Sequence, residues 1–210
     1  MTAREEVLGR IRTALGDDRR VPEVVRDYRT DDELPAGDPA LLDLLVDRLE
    51  DYKATVLRCA PDQVGATVVA ALDRGLGPGW AAADVVVAPG VPADWRPGGS
   101  TEDDGRAAVQ LAAFAATLTG VSVAIAETGT LVLDGSPLSG RRALSLLPDC
   151  LVAVVRAEQV VTGVPAGLAR LDRTAPLTMV SGPSATSDIE LNRVEVVHGP
   201  RHLHVILPPA

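Results

Sequence analysis

The stretch Cys150-Leu151-Val152-Ala153-Val154-Val155 carries no charged, amide or hydroxyl side chain. A strand with one wet face alternates polar and apolar residues. A continuous apolar run instead predicts burial on both faces, as in a parallel sheet. Val85-Val86-Val87 within Asp84–Ala88 has the same character, and Thr55–Cys59 reads as another buried strand. Val121–Ala126, Thr130–Leu133, Leu177–Val180 and Leu203–Leu207 complete the expected strands. Helical periodicity lies between and before them. Leu42, Leu45, Val46 and Leu49 mark one face of a helix over Leu41–Tyr52, and Pro61-Asp62 opens a helix through Leu72. Further helices are expected over the Ala-rich Gly105–Leu118 and over Glu158–Leu171. Strands alternating with helices predict an α/β fold with a mainly parallel sheet covered on both sides. Ligands in such folds collect at the carboxyl ends of the strands.

The N-terminal part is different. Val7, Leu8, Ile11, Ala14 and Leu15 form one stripe of a helix over Arg4–Leu15, and Gly16 stops it. Asp17–Pro39 is charged and Pro-punctuated and reads as an extended arm. The expected organisation is a helix and arm over residues 1–38 and one α/β domain over 39–210.

The net charge of −9 disfavours a phosphate backbone as partner, so nucleic-acid binding is not expected. Cys59 and Cys150 are the only cysteines. Two thiols in apolar runs suggest a reduced, cytoplasmic setting, and they are too few to hold an iron–sulfur cluster. Neither a signal peptide nor a membrane span is expected. Gly75-x-Gly77-x-Gly79 is a faint dinucleotide pattern that follows a helix instead of a strand, and no GxxxxGK[ST] loop occurs.

Four turns carry the candidate chemistry. Glu127-Thr128-Gly129-Thr130 offers a carboxylate and two hydroxyls around a glycine, either as a reactive turn or as a plain hairpin closure. In Ser181-Gly182-Pro183-Ser184-Ala185-Thr186-Ser187-Asp188-Ile189-Glu190, small residues and hydroxyls suit an anion, while Ser187 and Glu190 match a capping box. In His198-Gly199-Pro200-Arg201, His198 can exchange a proton near neutrality and Arg201 can pair with a carboxylate. His202 and His204 share one strand face and read as partners of the backbone; no metal site is expected. Arg141 and Arg142 can hold an anion or simply begin a helix. The candidate ligand-binding set is therefore Thr128, Gly129, Thr130, Ser181, Gly182, Ser184, Thr186, Asp188 and Arg201, with Glu127 and His198 as candidate catalytic groups.

These same residues carry a resemblance. Glu127–Thr130, Ser145-Leu146-Leu147-Pro148, Ser181–Glu190 and His198–Pro200 together resemble the LUD-domain family, in particular its lactate-utilisation members, over roughly residues 40 to 208. Val196 stands where that pattern suggests glycine. The resemblance implies a three-layer αβα fold similar to the NagB/RpiA/CoA-transferase group. It also implies a place in the oxidation of L-lactate to pyruvate, beside a cysteine-rich subunit and an iron–sulfur subunit that carry the clusters. Three functions follow as alternatives. One is an accessory component binding a small anion (lactate, pyruvate, CoA or another phosphate-bearing ligand). Another is a standalone enzyme using Glu127 on a CoA thioester or sugar-phosphate-like substrate. The third is a pure interaction subunit docking through residues 1–38.

Overall fold

The structure is a computed structural model and describes residues 2–16, 23–27, 34–172, 174–183, 185–186, 194–195 and 199–209, with backbone alone at 185–186 and 194–195. Its helices are α1 (Ala3–Leu15), α2 (Pro39–Asp51), α3 (Val64–Leu76), α4 (Ala108–Leu111), α5 (Arg142–Leu146) and α6 (Val164–Ala169). The first strands are β1 (Thr55–Arg58), β2 (Val85–Val87), β3 (Thr101–Glu102), β4 (Ala116–Gly120), β5 (Val123–Ile125) and β6 (Thr130–Leu133). They are followed by β7 (Cys150–Val154), β8 (Val160–Val161), β9 (Thr178–Val180), β10 (Ala185–Thr186), β11 (Val194–Glu195) and β12 (His202–Leu207).

The main sheet has six strands in the order β1-β12-β7-β4-β2-β3, and every pairing in it is parallel. The apolar run at 150–154 lies at its centre as β7, buried along its whole length. Its residues divide by parity, as a pleat requires. Leu151 and Ala153 pack with α2, whereas Cys150, Val152 and Val154 pack with α3. The two helices therefore cover opposite faces. α2 begins well because the Asp38 side chain accepts from the Ala40 N–H at 2.9 Å and Pro39 fills the first turn. Leu41, Leu42, Leu45 and Leu49 then face inward. The expected mainly parallel α/β architecture is what the chain forms.

A second sheet of four strands, in the order β8-β5-β6-β9, shares α2's side of the main sheet. Its inner face contributes Ala124, Leu131 and Val160, and its outer face (Val123, Ile125, Val132, Val161) meets Ala166 of α6. A short antiparallel pair, β10 with β11, follows.

Two expectations need correction. The helix over Gly105–Leu118 is a single turn, α4, and the second half of that segment becomes β4. Alanine favours helix, but Ala116, Thr117, Leu118 and Thr119 are fully buried between β7 and β2, and sheet packing overrides propensity there. The helix over Glu158–Leu171 is split: a 3-10 turn, then β8, then α6. The helix α1 forms as expected with a complete Thr2–Glu5 capping box, yet none of its residues is buried.

Candidate functional site

The turn at Ala126–Gly129 joins β5 to β6 as an antiparallel hairpin. The hairpin-closure reading is correct, and the turn also builds a polar cluster. The ladder of β6 with β9 pairs Leu131 with Val180, so one step further Thr130 stands opposite Ser181. Thr130 Oγ1 lies 2.7 Å from Ser181 Oγ and 2.8 Å from Thr128 Oγ1. Three hydroxyls from two of the candidate turns thus form one hydrogen-bonded line. Thr130 is buried at its centre, and Thr128 and Ser181 are exposed at its ends. Such a line can turn its protons toward an acceptor, because each hydroxyl both donates and accepts. Glu127 is exposed on the same turn, and its N–H donates to the Thr162 carbonyl.

The last turn of α2 supports this cluster from below. Gly129 has φ +59°, and a Cβ there would come within 2.8 Å of Arg48 Cβ. Gly182 has φ +100°, and its Cβ would come within 2.7 Å of Tyr52 Cβ. Arg48 and Tyr52 are one helical turn apart, so two glycines seat two loops on one ridge. The exposed carbonyl end of a helix disfavours an anion. Arg48 and the chain's one lysine, Lys53 (φ +71° in the turn leading to β1), stand at that end, where Arg48 Nη1 is already 3.2 Å from Asp47 Oδ2 and 3.6 Å from Asp51 Oδ2. The helix ridge carried no motif and was not among the sequence candidates.

The site does not lie where a doubly wound sheet keeps its ligands. The cluster sits beside the entry to β1, not at the carboxyl ends of the main strands. Between β2 and β4 those ends are filled by the chain itself. The Gly90 N–H donates to the Pro137 carbonyl at 2.8 Å, and the Gly120 N–H to the Leu138 carbonyl at 3.0 Å. The filling loop is tied down by Asp134, whose carboxylate accepts from the Ser136 N–H at 3.0 Å. Burial pulls the Asp134 carboxyl upward, but hydrogen bonds from Ser122, Ser136 and Ser139 outweigh it and leave it below the usual range. Next to it, Arg141 grips Asp103 through Nε at 2.6 Å and Nη2 at 2.8 Å, so the anion it holds is internal. That guanidinium holds Asp103 below the ordinary carboxylate range.

The other candidates separate. Arg201 stands at the entry to β12, its Nε 3.7 Å from Asp149 Oδ1 and its N–H donating to the Asp149 carbonyl. Thr186 lies on β10, where only the backbone is described. Ser184, Asp188, His198, the Ser187–Glu190 capping box and Val196 lie outside the described residues. His202 and His204 share a face, with ring centroids 6.5 Å apart. The expectation that His204 bonds the backbone is wrong. Neither of its ring nitrogens has a partner among the described residues, and burial pushes its pKa down to about 4. Cys150 lies near it, its thiol pushed up to about 12 by burial. No group of three or more His, Cys, Asp or Glu side chains among the described residues is placed to hold a metal.

A family model described as the LUD domain matches residues 50–207. The chain belongs to the LUD domain family. The match takes in the hairpin, the Ser181 loop and the α2 exit of this LUD domain. Lactate utilization protein C of Deinococcus radiodurans is 39% identical over 98% of this chain and 95% of its own length. YkgG of Escherichia coli is 34% identical over 36% of each chain. The crystal structure of a DUF162 family protein from Deinococcus radiodurans matches with a TM-score of 0.65 and 35% identity, covering 80% of this chain and 96% of that one.

Proposed function

We propose that this LUD domain is an accessory component of an L-lactate oxidation system, lactate to pyruvate, in the cytoplasm. It binds a small anion and acts with iron–sulfur partner subunits that carry the electrons. The observation that carries this reading is the 39% identity to lactate utilization protein C along nearly the whole chain. The hydroxyl line of Thr128, Thr130 and Ser181 supplies a place for a 2-hydroxy or 2-oxo acid: hydroxyl donors for its oxygens and a glycine on each loop for close approach. A phosphate-bearing ligand such as CoA uses the same donors. Glu127 lies on the same turn, and His198, Ser184, Thr186 and Asp188 are further candidate contacts in the same reading.

The partner half of the proposal rests on α1. Val7, Ile11 and Leu15 are about half exposed or more, and no residue of the helix is buried among the described residues. A helix of this length is marginal in water by itself, and a partner surface that covers its apolar stripe stabilises it.

The test is genetic. A bacterium lacking its own lactate utilization protein C is given this chain and grown on L-lactate as sole carbon source. Restored growth, lost again on removing residues 1–38, is the expected result. Full-length chain that is well expressed and restores nothing contradicts the proposal.

A further inference from the structure

A cavity lies at the opposite end of β1 from the hydroxyl line. It has a volume of about 420 Å³ and opens where β1 and β12 end, with Leu42 from the first turn of α2 as one wall. Leu207, Pro208 and Pro209 form a stiff apolar wall after β12. Arg58, the last residue of β1, the half-buried Cys59 and Ala60 complete the lining. This is the carboxyl end of two neighbouring parallel strands, with α2 on one face and the connection to α3 on the other. It is therefore the kind of crevice in which open α/β sheets place ligands. Its volume falls within the ~300–1,000 Å³ range of small-molecule sites.

The geometry points to an alkyl monocarboxylate as the occupant, its chain against Leu42, Leu207 and the two prolines and its carboxylate on Arg58. The charge argument is specific. Arg58 is the charged group in the lining, and its Nη2 meets Asp43 at 2.6 Å. Both partners are more than half exposed, and such surface pairs hold weakly. A guanidinium presents a fork of donors, so a carboxylate can share it or take the place of Asp43. The apolar walls set the rest of the ligand. A three-carbon hydroxy acid has almost no apolar surface to bury there, whereas a chain of six to eight carbons has. This site is separate from the anion site of the proposed function. Each can fail without the other, because they lie at opposite ends of α2 and β1.

The two cysteines provide the assay. Cys59 lines the cavity and Cys150 is fully buried, with its thiol raised to about 12, so alkylation of the folded full-length chain by iodoacetamide reports on Cys59. Its rate is followed against butyrate, hexanoate, octanoate, hexanol and lactate. The expected result is saturable protection by the carboxylates. Affinity should rise about fourfold per added methylene, the ratio that corresponds to ~0.8 kcal/mol per buried CH₂. Lactate gives no protection. Arg58→Gln weakens hexanoate at least tenfold, and Asp43→Asn, which leaves Arg58 in place, tightens it. If Arg58→Gln does not fold, the chain-length series and Asp43→Asn decide. Equal protection by hexanol, no dependence on chain length, or an unchanged alkylation rate at saturating octanoate overturns the proposal.

Discussion

Thr130 Oγ1 and Ser181 Oγ lie 2.7 Å apart across 51 residues of chain. The contact is fixed by strand register, since Thr130 and Ser181 stand one step beyond the Leu131–Val180 pair of β6 and β9. A register slip by one residue would turn Thr130 to the other face of the sheet and break the hydroxyl line.

Replacing Thr130 by valine keeps the shape and removes the central hydroxyl. Thr128 and Ser181 sit at the exposed ends and recover water, so the loss should be modest, ~1 kcal/mol. Urea unfolding measures it. A loss above ~3 kcal/mol would show that the line is a core strut instead of a surface site.

Gly75→Ala sets two effects against each other. Gly75 is the next-to-last residue of α3, where alanine keeps only part of its ~1 kcal/mol interior advantage over glycine. A Cβ at this position would, however, lie 2.7 Å from Cys150 Sγ and 2.8 Å from His204 Nε2. Overpacking of this kind costs ~1–3 kcal/mol, and both neighbours are buried, so the clash should win. The expected result is a net loss of about 1 kcal/mol in unfolding free energy, read as a lower urea midpoint; a gain would mean that α3 shifts easily on the sheet.

Asp103→Asn should destabilise the carboxyl end of β3. Breaking a fully buried pair costs ~3–5 kcal/mol. Here the Arg141 side chain is 38% exposed and that of Asp103 4%, so solvent screening lowers the expected loss to about 2 kcal/mol. The wild-type advantage is present above the unfolded carboxyl value of ~3.9 and disappears as pH falls through the lowered folded value. Wild type and variant should therefore converge as the pH falls below that unfolded value in pH-dependent unfolding.

His204 gives a second acid sensitivity in a different window. Its folded pKa is about 4, below the unfolded ~6.5, so the unfolded chain binds the extra proton between these values. Stability is complete above about pH 6.5 and declines toward pH 4, by on the order of 3 kcal/mol in total. His204→Leu should flatten that slope. Equal slopes for the two proteins between pH 7 and 5 would show that another group titrates there.

Much of the frame was legible because a strand buried on both faces has no choice but to be apolar. Cys150–Val154 and Val85–Val87 are such strands, and leucines at helical spacing likewise announced α2. β4 was hidden, since Ala116-Thr117-Leu118-Thr119-Gly120 continues an alanine-rich run and only its neighbours in the sheet make it a strand. β3 and β8 are two-residue strands, too short for any periodicity. Of the site, each turn was legible but their meeting was not. That Thr128, Thr130 and Ser181 join is a matter of pairing between distant strands. That Gly129 rests on Arg48 and Gly182 on Tyr52 depends on where α2 ends against the second sheet. Likewise Arg141 could be read only as an anion holder or a helix start, because its partner, Asp103, lies 38 residues earlier.

The central claim is that the Thr128–Thr130–Ser181 line binds a small anion. Isothermal calorimetry of L-lactate, pyruvate and CoA against wild type and Thr130→Val, in low-salt buffer at pH 7, tests it most directly. The account predicts saturable binding of at least one of these ligands to wild type, weakened about tenfold in the variant, which corresponds to the ~1.4 kcal/mol of one lost hydrogen bond. No heat with any of the three, or equal affinity in both proteins, would contradict it.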